Sequence, residues 1–185
     1  MRTETLRPQD VLVVSKIFTQ GLLRANVTYA GLAEDLGLST STVHESVVRC
    51  RQSQMLSPDG WQVMPWSLRV LLISVVPMVF YAVRGGLTSG MPTATHARGL
   101  EGKFRGEQGP LVVWCEDGAP EGLPRGEGLE PLYPMVPAAC RFDEILYELL
   151  ALADVMRIGN ASERTTAVDL IDRRLFGQVK KGSRS

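Results

Sequence analysis

Residues 28 to 56, Thr28-Tyr29-Ala30-Gly31-Leu32-Ala33-Glu34-Asp35-Leu36-Gly37-Leu38-Ser39-Thr40-Ser41-Thr42-Val43-His44-Glu45-Ser46-Val47-Val48-Arg49-Cys50 and on through Arg51 to Leu56, read as two short helices around a tight turn. Thr28 is a capping residue for a helix whose apolar face carries Leu32, Ala33 and Leu36. Gly37 stands just past its end, where the chain needs a left-handed residue. Ser39 then offers its hydroxyl to the free amides of a second helix, at about residues 39–54, whose inner stripe is Val43, Val47 and Cys50. That phase leaves Thr40, Ser41, Thr42, His44, Glu45 and Arg49 facing outward.

Elements on both sides extend the pattern. Pro8 suits the first turn of a helix, and Val11, Val14, Ile17 and Phe18 give it an apolar face up to about Gly21. Beyond Leu56, Ser57-Pro58-Asp59-Gly60 followed by Trp61 to Pro65 predicts a small β-hairpin. Between Leu32 and Val47 the chain resembles the helix-turn-helix of MarR-like bacterial winged-helix regulators, a likeness that covers about residues 7 to 66. The resemblance implies a winged helix-turn-helix domain at 1–66, followed by a 67–185 C-terminal α+β region with a regulatory, interaction or dimerisation role. It also implies a cytoplasmic, sequence-specific repressor that binds double-stranded DNA as a homodimer, with the second helix in the major groove. The contact set it implies is Thr28, Ser39, Thr40, Ser41, Thr42, His44 and Glu45, with Arg49 and Arg51 at phosphates. Related regulators often carry a basic or neutral residue where this chain has Glu45, though a glutamate can accept from a cytosine amino group. Gly90 to Thr93, Glu130 to Pro134 and Ala151 to Gly159 carry the likeness into the second half of the chain, where no ligand is implied.

Charge leaves a second class open. Over residues 1 to 66 acids and bases balance, and the 185-residue chain has 20 Lys plus Arg against 20 Asp plus Glu. A neutral domain binds DNA only by gathering its cations on one face, for which Arg24, Arg49 and Arg51 are the candidates, whereas Asp59 sits at the hairpin tip. The alternative is an antitoxin-like or other protein-interaction module that binds a partner enzyme through its C-terminal part. No nucleophile with its base, phosphate cradle or metal set is visible in the sequence, so no enzyme, cofactor or metal is expected. Cys50, Cys115 and Cys140 are widely spaced and read as buried reduced thiols, Cys50 facing inward and so poorly placed for a redox switch. The N-terminus lacks the order of a signal peptide.

The apolar run from Trp66 to Val83 approaches a membrane span in length, but Arg69 and Pro77 interrupt it. It is expected to split into a helix of about three turns and a strand at Val79 to Val83. Glycine and proline crowd Arg84 to Pro137, with extended pieces at Val112 to Trp114 and Leu129 to Tyr133. The Arg-Gly steps at Arg84, Arg98, Arg105 and Arg125 read as turns, and His96 as a surface or hydrogen-bonded residue. The last third is helical: Phe142, Ile145, Leu146, Leu149, Leu152, Ala153 and Met156 mark one stripe, and Asn160 with Glu163 forms a capping box for another helix bearing Val168, Ile171 and Leu175. Both stripes fit a dimer interface and fit equally well packing on the middle strands. The expected fold class is therefore α+β, mainly helical, with a loop-rich second half ending in helices.

Overall fold

The computed structural model describes residues 5–23, 25–58, 60–105, 109–116, 118 and 120–177. Arg24, Asp59, Asp117 and the basic tail from Lys180 to Ser185 lie outside the described residues. The protein is α+β and mainly helical, with one small three-stranded sheet. Helices α1 (Pro8–Leu22), α2 (Tyr29–Leu36) and α3 (Thr40–Gln52) form where the sequence offers an apolar stripe, α1 opening on Pro8 and α2 and α3 on side-chain caps. The Thr28 hydroxyl accepts from the Gly31 amide at 3.1 Å, and Ser39 accepts from Thr42 at 3.1 Å. Gly37 has φ of 62°, the left-handed region that favours glycine; a Cβ there would also lie 2.5 Å from the Met135 methyl, the end of a flexible side chain that can move aside. Val11, Val14, Ile17, Leu32, Leu36, Val43, Val47 and Cys50 all bury their side chains between these helices.

After α3 the chain makes a minimal hairpin, one antiparallel bridge between Leu56 and Val63 with a hydrogen bond from Ser57 N to Gln62 O at 2.9 Å. The apolar run then departs from expectation. It stays helical as α4 (Pro65–Val70), a π-helical turn (Leu71–Val75) and α5 (Val76–Val79), with no strand at Val79 to Val83. Proline lacks an N–H and its ring crowds the preceding turn; the wider π turn just before Pro77 absorbs both defects and the helix survives. The strand begins later, as β1 (Arg84–Ser89).

β2 (Val112–Trp114) falls where its hydrophobic run predicts, and β3 (Arg125–Leu129) precedes the Leu129 to Tyr133 segment expected to be extended. The order is β1-β3-β2, with β1 antiparallel and β2 parallel to β3. The segment after β1 also bridges β2 through Pro92 and Val113; there a Cβ on Gly90 would lie 2.0 Å from the Trp114 carbonyl oxygen, so only glycine allows the two backbones to approach.

α6 (Val136–Cys140), α7 (Glu144–Ile158) and α8 (Ala161–Phe176) complete the chain. Asp143 caps α7, accepting from the Leu146 amide at 2.9 Å, and the Asn160–Glu163 capping box opens α8. Phe142 precedes the α7 cap and is 98 % exposed, so it belongs to no stripe. From Leu146 to Met156, α7 is buried on every side except at Glu148, the signature of a central helix rather than an amphipathic one. It packs on α1, α5, α6 and α8, and one continuous cluster of buried residues runs from Val11 to Leu175. The stripes of both last helices are thus spent inside the chain, since Ala167, Ile171 and Leu175 of α8 are buried in the same cluster. No described helix is long and apolar enough to cross a membrane.

Candidate nucleic-acid interface

α3 carries two faces of different chemistry. Its exposed residues are Thr40, Ser41, His44, Glu45, Val48 and Gln52, with Thr42 half-buried beside them. At its first turn the hydroxyls converge: Ser39 Oγ lies 2.9 Å from Ser41 Oγ and 2.8 Å from Thr42 Oγ1. The free amides of the helix start point the same way, so this end offers donors and a partial positive charge to an acceptor. His44 stands next along the face, its ring centroid 5.3 Å from that of Tyr29.

Arg49 is a correction to the outward set. It is 1 % exposed, donating from Nε and Nη2 to the two carboxylate oxygens of Asp10 at 2.8 Å each, and from Nη2 to Ser46 Oγ at 3.2 Å. No phosphate can reach it. Position 49 sits beside the Ser46–Cys50 edge of the inner stripe, where α1 presents Asp10; a fork-shaped cation opposite a buried carboxylate is more stable turned inward, because leaving Asp10 alone would strand a charge. Glu45 remains exposed, 3.8 Å from the same guanidinium. No local pattern marks the pair, since Asp10 and Arg49 lie 39 residues apart.

Arg51 is half-buried and turned toward the hairpin. Its guanidinium lies 5.7 Å from the Trp61 ring centroid and donates to Tyr29 Oη at 3.4 Å and to the Gly60 carbonyl at 3.3 Å. Tyr29 and Trp61 stack edge-on at 4.8 Å. His44, Tyr29, Trp61 and Arg51 therefore form one aromatic–cation cluster joining α2, α3 and the hairpin, and Tyr29 was not legible as part of it. Nothing in its spacing marks it, because the cluster assembles across three elements. Arg51 Nε is buried without a hydrogen-bond partner among the described residues.

The other predicted positions fall into place as caps. Thr28 and Ser39 are both exposed, and each already spends one acceptor on its own helix. Glu45 is the one charged side chain among the exposed residues of α3. Lys16, the other base nearby, bridges Asp143 at 2.9 Å and Asp35 at 3.1 Å, tying α1 to α2 and to the cap of α7. Burial works against its charge, but the two carboxylates prevail and hold its pKa above the ordinary lysine value.

The thiols are chemically quiet where they are buried. Desolvation pushes the Cys50 thiol far up, with Asp10 adding to it, and pushes Cys140 up in the same way. Cys115 is half-buried. Among the described residues no cluster of three or more His, Cys, Asp or Glu side chains is arranged to hold a metal. No protein-family model matches the chain, and no curated protein or solved structure matches it significantly.

Proposed function

We propose that the chain is a sequence-specific double-stranded DNA-binding regulator, a repressor of the MarR-like winged helix-turn-helix kind, with α3 entering the major groove. The observation that carries the reading is the outward row Thr40, Ser41, Thr42, His44 and Gln52 on a helix capped at its start and anchored through a buried ion pair. Uncharged hydrogen-bonding side chains on a rigid helix suit base edges, whereas a phosphate-tracking surface would need cations. Arg51 is the cation at the edge of this face, so binding should depend on salt only weakly, with a slope of about one or two phosphate contacts per protomer. Selection of sequences from a random duplex pool at low salt, followed by mobility shifts over a salt series, tests this. Failure to enrich any sequence overturns it.

Two half-sites call for two copies. The face offered for a homodimer is the outer side of the α4–α5 helix, where Trp66, Val70 and Met78 are exposed beside an apolar groove of about 340 Å3 lined by Met55, Leu71 and Val75. Arg69, the charge on that helix, is already paired with Asp172 at 2.6 Å, so a second copy would bury no unpaired ion there. Met78→Asp should turn a dimer in light scattering into a monomer without unfolding it, because Met78 is 81 % exposed.

A second reading, the antitoxin-like module with a protein partner, is favoured by one observation: the exposed face of α3 presents Glu45 and no described cation. A wild-type chain that is monomeric at micromolar concentration and shows no duplex binding at low salt decides for it.

A further inference from the structure

A cleft of about 460 Å3 opens on the side of the molecule formed by the glycine- and proline-rich middle and the start of α7. Met91, Pro92, Leu123 and Pro124 give it apolar walls, and the Tyr147 ring and Arg98 close one end. Three separate segments build it, and its frame is fixed by hydrogen bonds. Tyr147 Oη donates to the Pro92 carbonyl at 2.6 Å and accepts from the Arg98 amide at 3.2 Å.

The polar groups at the rim differ in how far they are committed. Arg141 is paired with Glu116, and Glu101 accepts from the Gly99 amide at 2.6 Å. His96 has both ring nitrogens engaged, Nε2 with the Gly109 carbonyl at 3.2 Å and Nδ1 with Thr95 Oγ1 at 3.4 Å. Arg98 alone among these is uncommitted: its guanidinium lies 5.8 Å from the Tyr147 ring centroid, with no carboxylate of the described residues within 4 Å. A guanidinium stacked on a tyrosine keeps its edge donors free, in the fork that fits a carboxylate.

We propose that this cleft binds a small organic monocarboxylate with an apolar tail, the carboxylate on Arg98 and the tail along Met91, Pro92 and Leu123. The volume is that of a small-molecule site, and apolar walls with a few polar groups are the usual composition of such sites; here the uncommitted guanidinium of Arg98 stands beside the paired Arg141 and the exposed Glu101. An inorganic phosphate would find one free guanidinium and greasy walls, too few donors for its oxygens. A neutral amide would leave the guanidinium unpaired.

Calorimetric titration of the whole chain, without DNA, tests the site independently of what α3 reads. The probes are octanoate, hexanoate, octanamide and inorganic phosphate. Octanoate is expected to bind at one site with a dissociation constant of about a millimolar or below, hexanoate more weakly, and octanamide and phosphate at least about tenfold more weakly than octanoate. Arg98→Gln should weaken octanoate about tenfold or more while leaving the ligand-free melting temperature unchanged, since the side chain is exposed. Leu123→Asp, which sets a charge against the apolar tail, should weaken it as well. No octanoate binding at about 10 mM, phosphate binding as tightly as octanoate, or Arg98→Gln binding octanoate like the wild type would each overturn the proposal.

Discussion

The layer made by α1, α2 and α3 and the glycine-rich middle around the sheet are held in different ways, and each has one buried ion pair that shows how. In the helical layer, apolar stripes supply the packing and Asp10–Arg49 joins two helices that already face each other. In the middle, strands are short and glycines many, so side chains of α7 replace regular structure. Asp154, 2 % exposed, accepts from Trp114 Nε1 at 2.6 Å, Thr93 Oγ1 at 2.7 Å and Arg157 Nη1 at 2.7 Å. Arg157 in turn donates to the backbone carbonyls of Phe80, Tyr81 and Glu130 at 2.9, 3.1 and 3.2 Å. One region is packed along helix stripes and then pinned; in the other the pin ties short strands and turns to α7, whose core they share.

The sharpest way to break that contrast is Asp154→Ala. It strands the Trp114, Thr93 and Arg157 donors together, and a loss of about 5 kcal/mol in denaturant unfolding is expected, with Trp114 fluorescence changing before the helical signal does. Simultaneous loss of both signals would show that the middle has no separate dependence on this hub. Asp154 also sets a pH test. Burial raises its carboxyl above the ordinary carboxylate value, against the opposing pull of Arg157, Thr93 and Trp114. A raised folded pKa means that the contribution of this group is full below the ordinary value of about 4 and declines as pH rises through the raised one. The stability of the wild type relative to Asp154→Asn should therefore be greatest below about pH 4 and fall toward pH 7, as read from paired urea titrations.

Arg49→Ala comes next, at about 3–4 kcal/mol, because it leaves the Asp10 carboxylate buried without its cation, the Arg7 amide still donating to it at 2.8 Å. The packed layer tolerates a different repair: Asp10→Leu with Arg49→Met, apolar on both sides, should recover most of the loss. The corresponding apolar swap of Asp154 and Arg157 should recover little, since the backbone carbonyls of Phe80, Tyr81 and Glu130 would still lack their donor. Equal rescue at both sites would erase the distinction drawn between them.

Gly37→Ala sits lower, at about 1–2 kcal/mol by thermal unfolding, for a left-handed residue that gains a Cβ. The smallest effect belongs to the outward face of α3. Glu45→Gln should leave stability unchanged and raise affinity for a selected duplex about twofold to fivefold by removing a like charge. Weakened binding at one operator position would instead assign Glu45 to a base.

Among the helices, local signals carried nearly everything. Thr28, Gly37, Ser39 and Asn160 act through backbone groups within a few residues, so their roles are visible in sequence order. The strand at Val112 to Trp114 was legible for the same reason, as a short apolar run between turn residues. Pro77 misled, because whether proline ends a helix depends on whether the turn before it can widen. The candidate site was half legible: the hydroxyl row and His44 follow from helix phase, while the direction of Arg49 depended on a carboxylate 39 residues away.

The sequence by itself determined where α2, α3 and α8 start and which side of α2 and α3 is apolar, since capping and periodicity are settled by neighbours along the chain. Only the tertiary structure decided that α7 is wrapped on all sides, that Arg49 turns inward and Arg51 toward Trp61, and that Arg98 is left uncommitted at an apolar cleft. Those outcomes hang on which charges and surfaces meet across long stretches of chain. A desolvated ion takes whichever partner the fold brings near it.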